Sequence, residues 1–304
     1  MEADNIARRV LDFADRNGAG ELPLETGVGG LSVMRQRSPG VLKPVLYQPV
    51  FCLVLQGAKQ ALIGDRAVTF CEGQSVIISM ELPTLARVVS ASTARPYVAL
   101  ALELDMALLR ELAVEIGGLP AVRETAAAIE AGDADGAILD ATRRLFDLTE
   151  KPQSAPILAP LTVREIHYWL LSARHGAMLR ALTRTDSRSA RIARATVRIR
   201  RGYNEPLRIA ELAHDAGMSA SAFHDHFRSV TGTTPLQYQK RLRLMEARRL
   251  ILAGDCSVSS AAFAVGYESP TQFSREYTRQ FGLSPRRDKA GHQDMGEVAL
   301  YAAE

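Results

Sequence analysis

The feature that most constrains this 304-residue chain is a pattern that occurs twice in its last third. The first copy runs Leu212-Ala213-His214-Asp215-Ala216-Gly217-Met218-Ser219, continues through Phe223 and Phe227, and closes on Gly232 and Pro235. The second runs Ala261-Ala262-Phe263-Ala264-Val265-Gly266-Tyr267-Glu268, continues through Phe273 and Tyr277, and closes on Gly282 and Pro285. Counted from the turn glycine, the later landmarks fall at 6, 10, 15 and 18 in the first copy and at 7, 11, 16 and 19 in the second. Each copy reads as helix, tight turn, helix. Gly217 and Gly266 are the turn residues, since glycine enters the left-handed conformation without a Cβ penalty. Ser219 and Ser269 are N-cap residues, and Pro270 suits the first helical position. Aromatic residues four apart share one buried face. This is the helix-turn-helix arrangement, with units over about 209–230 and 258–281.

Between the copies, Pro235–Ala253 reads as one helix, with Leu236, Tyr238, Leu242, Met245, Leu250 and Leu252 among its apolar positions. Nineteen helical residues span about 28 Å. Major-groove entries on one face of DNA lie about 34 Å apart. One chain with this spacer can therefore present two reading helices, as a helix-turn-helix dimer usually does. Charge agrees: Arg188 to Lys289 holds 18 Lys and Arg against 9 Asp and Glu, while the rest holds 19 against 25. A basic third on an acidic remainder points to a polyanion-binding module attached to something else.

The face opposite the aromatics carries the candidate DNA contacts. In the first unit they are Ser221, His224, Asp225 and Arg228; in the second Thr271, Ser274, Arg275 and Thr278, with Gln272 at the edge. Arginine bonds guanine bidentately and glutamine prefers adenine. His224 and Ser221 suit a base edge or a phosphate. Asp225 either accepts from cytosine N4 or pairs with Arg228 and orients it. Arg194, Arg198, Arg201, Lys240 and Arg241 are candidates for phosphate contact.

The first half reads differently. Leu31–Arg37, Val50–Gln56, Lys59–Ile63, Arg66–Phe70, Gln74–Ser79, Leu85–Val89 and Pro96–Leu104 are short apolar or alternating runs separated by turn residues, Leu82-Pro83 among them. Gly64-Asp65 marks a tight hairpin. Strands at this spacing suggest an antiparallel sandwich or small barrel. Asp105 is the N-cap of a helix Met106–Ile116 that stops at Gly117-Gly118. From Leu119 onward the pattern is helical: Asp135–Leu148 is amphipathic, Lys151–Pro160 reads as a linker, and Thr162–Leu171 and Gly176–Leu182 as short helices. The expected layout is a 1–182 sensor or dimerisation domain, a 183–189 linker, a 190–290 DNA-binding domain and a 291–304 tail.

Several function classes are disfavoured. No apolar run approaches the roughly 20 residues a membrane helix needs, so no membrane partner is expected. The N-terminal residues carry Glu2, Asp4, Arg8 and Arg9, unlike a secretion signal. Cys52, Cys71 and Cys256 are too few and scattered for a disulfide framework or zinc ribbon; the first two sit in apolar strand contexts and read as buried structural thiols. A metalloenzyme of the cupin type needs histidine and carboxylate ligands inside the barrel, yet the first histidine is His167. His224 and His226, two apart, point to different helix faces. No phosphate-cradling loop or nucleophile elbow is present. No enzyme activity, cofactor or metal is expected.

The stretch Leu207–Lys289 resembles the AraC/XylS family of bacterial transcription regulators. The resemblance is carried by Leu212-Ala213, Met218-Ser219, Phe223-His224, Phe227-Arg228, Gly232 to Tyr238 and Arg241-Leu242-Arg243, then by Ala262, Val265 to Ser269, Gln272 to Tyr277 and Phe281 to Pro285. Asp225 departs from it, since the family usually shows Arg or another polar residue there. Leu46 to Pro49, Cys52 to Lys59, Gly64-Asp65, Gly73-Gln74, Leu82-Pro83, Pro96-Tyr97, Arg164 to Ile166 and Leu179-Arg180 resemble the N-terminal half of one branch. The resemblance implies a two-domain α+β protein: a cupin-like N-terminal β-barrel or sandwich with flanking helices, then an all-α domain of two helix-turn-helix units. It further implies double-stranded DNA as partner, a small organic effector or a homodimer formed through the first domain, RNA polymerase if the protein activates, and a bacterial cytoplasmic, nucleoid-associated setting. Two other readings stay open on the residues alone: a ligand-binding scaffold whose helical domain takes a protein partner, and a metal-dependent cupin enzyme.

Overall fold

A computed structural model describes residues 2–64, 66–119, 126–254 and 256–293. The chain divides into two compact units, one built largely from residues up to Ala193 and one from Arg194 onward.

In the first unit, helix α1 (Glu2–Arg16) precedes strands β1 (Leu24–Glu25), β2 (Leu31–Gln36), β3 (Lys43–Tyr47), β4 (Val50–Gln56), β5 (Ala58–Ile63), β6 (Arg66–Cys71), β7 (Gln74–Ile78), β8 (Leu82–Ser90) and β9 (Tyr97–Glu103). Helix α2 (Met106–Ile116), strand β10 (Ile129–Asp133), helix α3 (Gly136–Asp147), a 3₁₀ turn, α4 (Ala155–Ser172) and α5 (Ala177–Thr183) follow. The strands form two antiparallel sheets, ordered β1-β2-β9-β4-β7-β10 and β3-β8-β5-β6. The chain passes between sheets at Gly57, whose φ of 81° is open to glycine and whose missing Cβ leaves room for the Ser90 carbonyl.

Side chains alternate along each strand. Leu31, Val33, Phe51, Leu53 and Leu100 of the six-stranded sheet join Val10, Leu109, Phe146 and Leu170 in a core beneath the helices. Their neighbours in sequence, Cys52, Val54 and Ala99, are also buried and face the other way, toward the four-stranded sheet. Both sides of β4 are therefore covered, which is why Val50–Gln56 reads as a continuous apolar run.

Local signals are realised where the chemistry is local. The Asp105 carboxylate accepts from the Ala107 and Leu108 amides at 2.8 and 3.0 Å, and Gly117 ends the helix at φ 64°. Asp135 caps α3. Ile63 pairs with Arg66 across the expected hairpin, with Gly64 at φ 66°; Asp65 lies outside the described residues.

Departures occur where a distant partner decides. Lys43–Tyr47 is a strand although Pro44 lies within it, because β3 is at a sheet edge, where a missing donor is tolerated. Leu82-Pro83, expected to be a break, begins β8, and Pro83 pairs with Leu46. Ile129–Asp133, within the expected helical region, extends the larger sheet by pairing with β7. The expected linker Lys151–Pro160 is largely the start of α4: Pro156 sits in the first turn, where its missing N–H has no helical partner to lose. Cys71, expected to be buried, is exposed at the end of β6, while Cys52 is buried.

The second unit holds α6 (Arg188–Arg201, entering from the first), α7 (Ile209–Asp215), α8 (Ala220–Thr231), α9 (Pro235–Ala253), α10 (Val258–Ala264), α11 (Pro270–Phe281) and α12 (Pro285–Gln293). Among the described residues no helix is long and apolar enough to cross a membrane. The expected C-terminal tail falls almost wholly outside the described residues.

Candidate nucleic-acid interface

Each sequence repeat folds into a helix pair joined at its glycine. In the first, Gly217 has φ 62° and donates to the His214 carbonyl at 2.8 Å, while the Met218 amide reaches Ala213 at 2.9 Å. In the second, Gly266 has φ 84° and donates to Phe263 at 3.0 Å, while the Tyr267 amide reaches Ala262 at 3.0 Å. Ser219 Oγ accepts from the Ala222 amide and Ser269 Oγ from the Gln272 amide, both at 3.3 Å. The caps and turns are thus built the same way twice.

The aromatic faces are buried as the four-residue spacing requires. Phe223 and Phe227 lie 5.7 Å apart, and Phe227 meets Tyr238 of α9 edge-on at 5.5 Å. Phe273 lies between Tyr267 at 5.3 Å and Tyr277 at 5.5 Å. Phe223, Phe227, Phe273 and Tyr277 are fully buried. Each edge-to-face pair adds about 0.5–1.5 kcal/mol beyond area burial.

The opposite faces are open. Ser221, Asp225 and Arg228 of α8 are exposed and His224 half-buried; Thr271, Gln272, Arg275 and Thr278 of α11 are exposed and Ser274 half-buried. These side chains are not equally available. Ser274 Oγ donates to the Pro270 carbonyl at 2.9 Å and Thr278 Oγ1 to Ser274 at 2.8 Å, so both hydroxyl protons are used within α11. Gln272 Nε2 donates to Glu276 at 3.2 Å. Arg275 makes no ion pair among the described residues, and neither does Asp225 with Arg228.

The basic candidates separate. Arg194 is exposed on α6. Arg198 pairs with Glu211 at 3.0 Å and also with Asp215, tying α6 to α7. Lys240 donates to Glu276 at 2.9 Å with its side chain 26% exposed, so its charge is engaged between α9 and α11. Arg241 is half-buried, and burial pulls its guanidinium below the ordinary arginine value.

Two organising residues carried no signal in the repeat. Glu276 accepts from Lys240, from Gln272 and, at 2.8 Å, from the Tyr267 hydroxyl. Burial alone would raise Glu276, but the three donors outweigh it and hold the carboxyl below its ordinary range. Burial, reinforced by the bond to Glu276, pushes the Tyr267 hydroxyl far up. Arg243 of α9 donates to Tyr203 at 2.6 Å, Gly266 at 2.8 Å and Glu205 at 2.9 Å, all backbone carbonyls. The four-residue step from Gln272 to Glu276 is the trace of this network in the sequence; Arg243 leaves none. Among the described residues, no group of three His, Cys, Asp or Glu side chains is placed to share a metal ion.

Two helix-turn-helix units on one connecting helix, in a chain that also carries a double-sheet unit, define the class of DNA-reading regulators. A family model described as the AraC-type transcriptional regulator N-terminus matches residues 27–178, and one described as a helix-turn-helix domain matches 212–290. The chain belongs to the AraC-type transcriptional regulators. Its relatives include the HTH-type transcriptional activator RhaS of Escherichia fergusonii, 30% identical over 155 residues that make up 50% of this chain and 55% of RhaS. The HTH-type transcriptional regulator ExsA of Pseudomonas aeruginosa is 26% identical over 139 residues, 46% of this chain and 50% of ExsA. The chain spans about half the length of the curated relatives it matches. These relatives are transcription regulators, not enzymes. Among solved structures, unsaturated-fatty-acid-bound ToxT of Vibrio cholerae shares the fold at 9% identity, with a TM-score of 0.52 over 85% of this chain and 92% of ToxT.

Proposed function

We propose that this chain binds duplex DNA sequence-specifically through α8 and α11 and thereby regulates transcription. The observation that carries the reading is the pair of capped, equally built helices whose polar faces remain open in one basic unit. On α11, Arg275 and Gln272 are the base readers, with Thr271 beside them and Ser274 and Thr278 as acceptors. On α8, Ser221, His224 and Arg228 contact DNA, and Asp225 favours cytosine N4 over phosphate. Arg194 contacts phosphate directly. Lys240 and Arg198, with carboxylate partners of their own, act on DNA through the helices they hold, and half-buried Arg241 does so at most along the groove edge.

The first unit takes a small organic effector, self-associates, or both. A fold neighbour described as fatty-acid-bound supports the first; Ile157 and Leu161, exposed one turn apart on α4, support the second. A ligand acts by binding two states of the protein unequally, and pairing raises effective concentration at paired sites. If the protein activates, RNA polymerase is a further partner. The setting is the bacterial cytoplasm, on the nucleoid when bound.

The test is selection of genomic fragments by the purified full chain, followed by titration of the recovered site against scrambled duplex over a salt series. Specific binding is expected to exceed non-specific by about 10³-fold or more, with affinity falling steeply with salt. Equal affinity for recovered and scrambled duplex would overturn the reading.

A further inference from the structure

Gln272 lies in the first turn of α11, with its backbone amide on the Ser269 cap and its side chain exposed. Its Nε2 donates to Glu276 Oε1 at 3.2 Å, one turn further on. An isolated pair at this spacing is weak, but here the acceptor is fixed. The Glu276 side chain is only 12% exposed. Lys240 of α9 donates to the same oxygen at 2.9 Å, and the Tyr267 hydroxyl to the other at 2.8 Å. Those donors hold the carboxyl below its ordinary range, so it is ionised and can only accept. An amide oxygen turned toward it would meet a second acceptor, so the nitrogen of Gln272 must face Glu276. The Gln272 Oε1 has no partner among the described residues.

An unrestrained glutamine turns about its last bond and offers a base either its NH₂ group as donor or its oxygen as acceptor. The Glu276 carboxylate removes that choice. With the nitrogen held, the oxygen is what Gln272 brings to a base edge. In the major groove adenine N6 and cytosine N4 are amino donors, whereas guanine O6 and thymine O4 are acceptors. An outward oxygen bonds the first two and is repelled by the others. The first unit has no such device: Ala222 and His226 stand where the second has Gln272 and Glu276.

We infer that Glu276 is a positioning residue that turns the Gln272 amide oxygen outward, so that α11 selects an amino-bearing base, adenine or cytosine, against guanine and thymine at one position of its site. This rests on the reading that α11 contacts base edges, and it names the chemical group that is read there.

The probe is the duplex recovered by the full chain, with each position changed in turn to every base pair and binding measured by competition at fixed salt. One position is expected at which adenine or cytosine binds roughly five- to tenfold more tightly than guanine or thymine. Deleting only the amino group, as purine does for adenine, is expected to give the same loss. Gln272→Ala, an exposed change, is expected to leave Tm unchanged and to level the bases at that position alone. Glu276→Gln frees the amide to present either face and is expected to admit guanine and thymine there while adenine and cytosine still bind. A role in packing alone would weaken every duplex alike, so the ratio between bases is the readout. Tyr267→Phe strips a different bond from Glu276 and is expected to lower Tm while keeping the ratio; loss of the ratio there would assign it to packing and count against the inference. A Gln272-dependent preference for guanine or thymine, no preference that depends on Gln272, or an unchanged ratio in Glu276→Gln would overturn the inference while sequence-specific binding stands. A chain that does not separate the recovered duplex from a scrambled one would overturn the DNA reading as well.

Discussion

The two helix-turn-helix units share a turn, a cap and an aromatic face, yet they are held in place by different physics. In the second, Glu276 gathers Lys240, Tyr267 and Gln272, and Arg243 bonds the turn carbonyl of Gly266. In the first, Met218 stands where the second has Tyr267, and His226 where it has Glu276. Its ionic support comes from the other side, through Arg198 on Glu211 and Asp215 of α7. The first reading helix is thus set by the packing of Phe223, Phe227 and Tyr238, the second by packing plus a partly buried charge network. The open faces differ too: two residues beyond the first aromatic stands Asp225 in one unit and Arg275 in the other. A repeat in sequence is therefore not a repeat in chemistry, and the two helices are suited to different base patterns.

The largest effect is expected at Gly266. A side chain there would meet φ 84° and collide with the Asn204 carbonyl. Gly266→Val is expected to cost about 3 kcal/mol or more, read as lost thermal stability and lost DNA affinity. A variant with unchanged Tm would show that the second turn tolerates what its geometry forbids.

Next comes the network itself. Glu276→Ala leaves Lys240 and Tyr267 without their acceptor and is expected to cost about 2 kcal/mol. The matching change in the first unit, His226→Ala, is expected to stay within about 0.5 kcal/mol. Equal losses in chemical denaturation would erase the distinction between the units.

At the DNA surface, Arg275→Ala is expected to cost about 1 kcal/mol or more on the specific site and to relax preference at one base position. Asp225→Ala is expected to cost less and to relax a preference for cytosine at one position, because the acceptor for its N4 amino group is lost. Competition titrations with single-base variants of the site separate the two; a larger loss at Asp225 would make the first helix the principal reader.

The smallest effect is a pH dependence. Three donors, outweighing the upward push of burial, leave the Glu276 carboxyl depressed in the folded state. Its stabilisation is therefore complete above the ordinary carboxylate value of about 4.3 and is lost as pH falls through the lower folded value. Acid titration of second-unit stability should show this loss, and Glu276→Gln should remove it. An identical acid profile in that variant would assign the dependence elsewhere.

Much of this molecule was legible because its determinants are close in sequence. Asp105 caps the helix it begins, Gly117 ends it, and Ser219 and Ser269 cap the helices after their turns. Such contacts span three or four residues, so residue type and spacing suffice to locate them. The aromatic pairs and the exposed faces opposite them follow from the helical period in the same way. Lys240 shows where that reasoning stops. Its place on α9 suggested phosphate contact, but its partner Glu276 is 36 residues away, and nothing local indicates that the two meet.

The sequence by itself determined the two units of the second half, their turns, caps and apolar faces, and the strand-rich character of the first half. Tertiary structure alone decided that Lys43–Tyr47 and Ile129–Asp133 become edge strands, because their ladder partners are Leu82–Ala86 and Gln74–Ile78. It also decided which charges remain open to a ligand. Arg275 is left exposed, and Lys240 is engaged by a distant carboxylate. A charge acts through what surrounds it in space, and those surroundings exist only once strands and helices far apart in the chain have packed together.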